Sequence, residues 1–528
     1  MTTATNQTGD WLGHPKGLFV LFATEMWERF SYYGMRALLI FYLTKYFLFS
    51  DAQASEIYGS YTALVYVLPI IGGILADRYL GSKKAVTFGA ILIALGHLTL
   101  AIDFSPSHHQ YEQTVSQNDP TLQLFFLALA LISAGTGFLK ANISTIVGNL
   151  YAPDDSRRDG GFTIFYMGIN LGSVIATIVC GYLGETFGWH YGFGAAGIGM
   201  LIGLVTFLAG QKHLKGIAEP TQPKLLKKKT AGISTEYWIY LGGLLMVAVS
   251  WKLVQNNEIV GSLLSASIGI MSVIIIYFAL RKCNKVERDR LFAISILIFF
   301  SVVFWALFEQ AGSSLSLLTD RVIDRNLWGI EIKASQFQAL NPAFIIFLAP
   351  LFSILWVKLS RRGWEPSTPT KFALGILQVG LGFLVLVWGM HNAQGNEPVA
   401  MIWIVLLYFV HTTGELCLSP VGLSMMTKLS VARIASMMMG VWFLAAAAAQ
   451  YIAGLLSALT GDKENSVGTL TTLAKTKAAY IPVYSKMGWI AVGIGMFLLF
   501  IVPFVKKLMH NNKPMATEQH QEPAVTAN

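Results

Sequence analysis

Charge is scarce in this chain. Asp, Glu, Lys and Arg make up 13% of its 528 residues, where a soluble protein carries about 25%. Hydrophobic residues reach 54%, and the mean hydropathy is +0.55. One anchor helix on a soluble domain cannot produce those values, and disordered, collagenous and disulfide-scaffold classes are excluded. Cysteine is almost absent too. Cys180, Cys283 and Cys417 lie far apart without a CxxC, so neither a disulfide framework nor a metal cage is expected, and no cofactor is implied. HExxH, GxSxG and GxxxxGK[ST] do not occur, which argues against a membrane hydrolase and an ATP-driven pump. The opening MTTATNQTGDWLGHPKG lacks the pattern of a cleavable leader, so the first apolar run is expected to persist as a span. A net charge of +9 would suit a nucleic-acid binder, but the basic residues fall in short clusters between apolar runs. No nucleic-acid partner is expected, and the lipid bilayer is the expected solvent.

What is present is a series of long apolar runs. A membrane helix needs about 20 such residues. Segments 18–48, 56–76, 85–103, 122–149, 161–183, 191–210, 236–254, 261–280, 291–317, 340–358, 370–390, 400–427, 434–459 and 485–505 meet that length, giving fourteen spans. They are too long, and too poor in alternation, for barrel strands. The expected class is an all-α integral membrane protein of two six-helix bundles plus an inserted two-helix hairpin. The bundles would occupy 1–210 and 286–510, with a basic linker and the hairpin at 211–285 and a tail at 511–528.

Loop charge sets the orientation. Loops at 77–84, 151–160, 211–230, 281–290, 358–371 and 428–433, with Lys16, Lys506, Lys507 and Lys513, hold most of the 38 basic residues. Loops 103–120 and 391–398 hold none. The positive-inside rule places the basic loops and both termini in the cytoplasm. Two six-span halves around a hairpin form a transporter-like plan, because repeats that rock about a midplane site are a common route to alternating access.

Ionisable groups inside spans are costly and usually functional. Here they are Glu25, Glu28, Arg29 and Arg36 in the first span, Lys140 in the fourth, and Glu309 and Glu415 in the first and fourth spans of the second half. Corresponding spans of the two halves therefore carry the buried charge, which points to a polar cavity between them. Glu25, Arg29, Tyr32, Tyr33 and Arg36 recur at three- and four-residue intervals and share one helix face. Opposite charges at that spacing can neutralise each other in hydrocarbon, and a carboxylate in a breakable ion pair suits proton transfer. His97 and His411 lie in apolar runs and are read as packing histidines with satisfied ring nitrogens.

Glu25-Met-Trp-Glu28-Arg29-Phe30-Ser-Tyr32-Tyr33-Gly34 resembles the ExxERFxYYG signature of proton-dependent oligopeptide transporters (the POT or PTR family), a branch of the major facilitator superfamily. Gly73–Gly81 is similar to that superfamily's loop between spans 2 and 3. Gly135–Asn142, Phe162–Gly172, Phe304–Gln310, Gly414–Pro420 and Met439–Phe443 resemble further family blocks, so the resemblance runs from residue 25 to 443. The extra helix pair resembles the bacterial members. Two positions depart: Ala141 stands where relatives often carry Pro, and Phe308 where some carry a second glutamate beside Glu309.

The resemblance implies a proton-coupled symporter importing di- and tripeptides across the cytoplasmic (inner) membrane. Glu25, Glu28, Arg29 and Glu309 would couple protons. Arg36 and Lys140 would face the peptide carboxylate, which suits a guanidinium fork and an ammonium point charge. Glu415 would meet the α-amino group, and Asn170 and Asn341 the peptide backbone. Tyr32, Tyr33, Tyr66, Trp305, Trp442 and Phe443 would line side-chain pockets, although helix packing or an interfacial belt also explains any single aromatic. Asn341 could equally be a helix cap. Lys140 with Glu415 is expected to close the inner side of the cavity, and Asp51 with Arg321 the outer side. Nitrate or a drug on the same scaffold is the rival within transport; a channel is the rival beyond it.

Overall fold

The computed structural model describes residues 10–102, 116, 118–152, 154–214, 216–220, 222–429, 434–461 and 472–510. The tail at 511–528, Lys513 within it, most of the 103–120 loop and positions 430–433 of a basic loop lie outside the described residues.

The described residues form fourteen long helices: α1 (Lys16–Phe41), α2 (Asp51–Leu75), α3 (Ser82–Leu100), α4 (Pro120–Asn149), α5 (Arg158–Phe187), α6 (Trp189–Gly210), α7 (Thr235–Val254), α8 (Asn257–Arg281), α9 (Lys285–Phe308), α10 (Leu340–Arg361), α11 (Thr368–Asn392), α12 (Met401–Leu429), α13 (Ala435–Ala458) and α14 (Leu473–Met509). Among the described residues, thirteen are long and apolar enough to cross a membrane. The fourteenth, α1, has 26 residues but carries Glu25, Glu28, Arg29 and Arg36. Its ends follow local chemistry: Pro15 precedes the first helical residue, and a π-turn at Tyr42–Tyr46 continues the last.

Several boundaries differ from the sequence expectation, and at two of them the cause is plain. Helix α2 begins five residues early, because the Ser50 side chain accepts a hydrogen bond from the Gln53 backbone N–H and caps it. Asp51 is therefore the first helical residue and not part of a loop. Helix α14 begins twelve residues early. Its first turns carry Lys477, which depresses any apolar window, yet that lysine is buried and donates to the carbonyls of Ala393 (2.7 Å) and Glu397 (2.9 Å).

Two large cores form. One gathers Phe41, Phe193 and Phe207 of α1 and α6, with Leu317 and Ala334 reaching in from the second half. The other gathers Phe304, Phe372 and Phe383 of α9 and α11. Within the first bundle, α3 and α4 approach so closely that a Cβ on Gly89 would lie 2.5 Å from the Gly135 carbonyl oxygen. Only glycine permits that spacing. The α7–α8 hairpin packs against α2 and α4, and α8 also touches α13.

At the end carrying the basic loops, a short ribbon (Asp10–Trp11 with His14–Pro15) docks on the loop before α5. Arg157 donates to Asp10 (2.9 Å), Asp155 (2.9 Å) and the Gly13 carbonyl (3.1 Å), and His14 bonds Tyr151. The Arg157 guanidinium holds the Asp155 carboxyl below its usual range, and partial burial pushes the Tyr151 hydroxyl up to about 12.

Candidate functional site

Helix α1 supplies the charged face that its spacing implied. Glu25, Glu28, Arg29 and Arg36 are all buried. The Arg29 Nε lies 2.5 Å from Glu28 Oε2 and 3.0 Å from Glu25 Oε1. The cluster is under-bonded: Glu25 Oε2, Glu28 Oε1 and Arg29 Nη2 have no hydrogen-bond partner among the described residues. Buried charge left short of partners costs several kcal/mol.

Two turns further along, the Arg36 Nε donates to the Tyr58 hydroxyl (2.6 Å) and its Nη2 pairs with Glu309. This ion pair joins the two halves through the middle of the molecule. Glu309 stands where α9 gives way to a 3₁₀ turn, Glu309–Gly312. Gly312 is required there, since a Cβ would collide with the Tyr58 hydroxyl and crowd Arg36. The Pro342-containing first turn of α10 presents Asn341, whose Nδ2 donates to Glu415 Oε2 (2.8 Å) and Thr412 Oγ1 (3.1 Å). The cap reading of Asn341 is thereby corrected: Ala339 precedes the helix, and the Asn341 side chain bonds α12.

Arg36, Glu309, Asn341 and Glu415 help to wall a cavity of about 220 Å³ between the halves. It brings together Tyr33, Arg36, Tyr66, Asn170, Trp305, Glu309, Asn341 and Glu415. Lys140 is not among the lining residues; its Nζ lies 3.8 Å from the centre of the ring of Tyr66, which is. This is a cation–π placement. No ion pair joins Lys140 and Glu415 among the described residues of this state; Glu415 is held by Asn341. Tyr32 is fully buried, 5.2 Å from the Tyr33 ring, and lies outside the cavity wall. Trp442 packs against Gly422 of α12, and neither it nor Phe443 lines the cavity.

Sequence reasoning missed several walls. Tyr166, Ser173 and Thr177 line the cavity beside Asn170, and their spacing of four, three and four residues was a readable polar stripe on α5. Gln338 and Tyr408 carried no such signal, since packing between helices brings them in, as it brings Tyr58 to Arg36. The two histidines divide. His411 Nε2 meets the Val379 carbonyl at 3.0 Å. His97 is buried with neither ring nitrogen bonded among the described residues, so the expectation that it is satisfied is corrected.

The end away from the basic loops is closed. Arg321 meets Asp51 through both terminal nitrogens at 2.5 and 2.7 Å, and Lys45 meets Asp320 at 2.8 Å. Ser55 and Ser457 bond at 2.8 Å, and the Ser335 backbone N–H donates to Glu185 at 2.9 Å. A Cβ on Gly59 would stand 2.9 Å from the Gly454 Cα, so α2 and α13 touch backbone to backbone.

Two helical bundles, an inserted hairpin and a charged cavity closed at one end define a multi-pass membrane protein of the secondary-transporter class. The profile described as PTR2, the POT family, matches residues 83–476. The chain belongs to the POT family. It is 36% identical over 548 residues to the peptide transporter YePEPT of Yersinia enterocolitica, covering 98% of this chain and 100% of that one. It is 37% identical over 520 residues to a di-/tripeptide transporter of Lactococcus lactis, covering 94% and 97%. Among solved structures, a mutant of a peptide transporter POT in complex with alafosfalin matches with a TM-score of 0.79 at 39% identity, covering 95% of this chain and 97% of that one.

Proposed function

We propose that this chain is a proton-coupled symporter that carries di- and tripeptides into the cell across the cytoplasmic membrane by alternating access, both termini lying in the cytoplasm. The observation that carries the reading is the charge layout of the cavity. Arg36 and Lys140 lie on the first half and Glu415 on the second, which suits a zwitterion whose two ends carry opposite charge. Nitrate gives no use to Glu415. The relatives in Yersinia enterocolitica and Lactococcus lactis, a peptide transporter and a di-/tripeptide transporter, support peptides as the substrate class.

The physical sequence follows from who holds Arg36. In the outer-closed state Glu309 does. A peptide carboxylate competes for the same guanidinium, and a proton on Glu309 removes the competitor's charge, so proton and peptide arrive together. The Glu25–Glu28–Arg29 cluster supplies a second place where a proton can replace an ion pair. Asp51 with Arg321 acts as the outer gate, Lys140 with Glu415 as the inner one, and the bundles of 1–210 and 286–510 rock about the cavity, with 211–285 inserted between them.

Counterflow into liposomes tests the substrate class. Labelled dipeptide should accumulate, unlabelled di- and tripeptides should abolish it, and free amino acid or nitrate should not. Counterflow insensitive to competing dipeptide would overturn the reading.

A further inference from the structure

An apolar groove of about 440 Å³ runs between the α7–α8 hairpin and α2. Leu64, Leu68 and Ile71 of α2 face Leu245 and Val249 of α7, and Leu444 of α13 closes part of the wall. Apart from Ser250 and Ser267, every wall residue is apolar. Water gains nothing in such a channel, and an unfilled apolar space forfeits dispersion contacts along its whole lining. A flexible hydrocarbon chain fits it.

The inner end of the same seam is built for the opposite chemistry. Residues 222–235 (QPKLLKKKTAGIST) contain four lysines and no acid. They are not a loose tail. Leu226 of the short helix Pro223–Lys227 is buried against Ala76, Leu80 and Ala85, at the inner ends of α2 and α3. Lys229–Thr230 pairs with Ile233–Ser234 around a tight turn in which Ala231 and Gly232 take φ of 53° and 80°. The Trp238 indole then donates to the Thr230 carbonyl (3.0 Å), fixing the ribbon to α7. Lys224, Lys227, Lys228 and Lys229 are exposed on this scaffold. Tyr237 and Trp238 are exposed beside it, as suits side chains at head-group depth. Basic residues placed there attract anionic lipid.

We propose that ribbon and groove together form a binding site for one anionic glycerophospholipid. Its phosphate rests on Lys227, Lys228 and Lys229, and an acyl chain lies along the α2–α7 seam. The groove supplies affinity for the chain, and the lysines supply preference for negative charge. Because Leu444 belongs to the second bundle, the seated chain touches hairpin, first bundle and second bundle at once.

Native mass spectrometry of the delipidated full-length protein tests this, with phosphatidylglycerol, phosphatidylcholine of the same chains, and glycerol 3-phosphate as probes. One phosphatidylglycerol should be retained at least tenfold more tightly than phosphatidylcholine. K227Q/K228Q/K229Q should lose that preference while K227R/K228R/K229R keeps it. Val249→Trp, which fills the groove from an exposed position, should weaken both lipids. Equal retention of the two lipids, a preference that survives the triple glutamine change, or full competition by glycerol 3-phosphate would each overturn the proposal.

Discussion

At the residue scale, the pairing of acids with arginines on α1 sets what each acid can do. Glu28 sits 2.5 Å from Arg29 with its other oxygen unbonded among the described residues. Removing one partner of a buried pair leaves an uncompensated charge, at a cost of about 3–5 kcal/mol; a proton on the acid avoids that cost. Glu28→Gln fixes the protonated form in shape without its charge. We expect it to abolish accumulation driven by an inward proton gradient and to spare peptide exchange at equal pH, both read in proteoliposomes. Driven accumulation that survives the change would reject the coupling role. Arg29 and Glu25 were legible as one helix face because period and charge suffice. Tyr58 was not, since its bond to Arg36 depends on how α2 packs on α1.

At the scale of elements, α2 and α13 pack along much of their length at the outer seam, and Asp51 at the start of α2 pairs with Arg321 of the short helix Ser314–Val322. The pair is partly exposed, so in isolation it is worth about 0–1 kcal/mol. A gate needs little more to shift the balance between two states of similar energy. Asp51→Ala should therefore raise the outward-open fraction, and Asp51→Arg with Arg321→Asp should recover much of the loss. A cysteine at Ser314, which is buried in the outer-closed state, reports the shift by its labelling rate; unchanged labelling in Asp51→Ala would reject the gate. Asp320, Asp324 and Arg325 stand close to Arg321 in the sequence, so charge sign alone does not single out this bridge. Geometry assigns Asp320 to Lys45.

The N-terminal ribbon is a second element held by charge. Asp155 has its pKa lowered by Arg157, so its contribution is present above the ordinary carboxylate value of about 4 and is lost as pH falls through the lowered one. Hydrogen exchange of residues 10–14, taken relative to the intrinsic rate at each pH, should thus be steady from neutral pH down to about 5 and quicken in stronger acid. Asp155→Asn should quicken it already at neutral pH. Equal exchange in both proteins at neutral pH would show that Asp155 does not hold the ribbon.

For the whole molecule, the fold was legible because a bilayer fixes helix length; the direction proposed above rests on loop charge. Where that reasoning slipped, polar side chains were satisfied locally: Lys477 by two carbonyls, Ser50 by capping. The cavity was legible in its charged members and in Asn170 and Asn341. Gln338 and Tyr408 were hidden, because only tertiary packing brings them to the wall. Lys140 and Glu415, in the fourth helix of each bundle, are the expected inner closure. Lys140→Glu with Glu415→Lys should then transport better than either single reversal; a double change no better than the worse single would count against that pairing.

The central claim is that peptide and proton cross together through this cavity. It is tested most directly by loading proteoliposomes with a pH-sensitive dye and adding dipeptide outside, with the two sides initially at equal pH. The account predicts interior acidification that saturates with dipeptide, stops in Glu28→Gln, and is not produced by nitrate. Dipeptide entry without acidification, or acidification that never saturates, would contradict it.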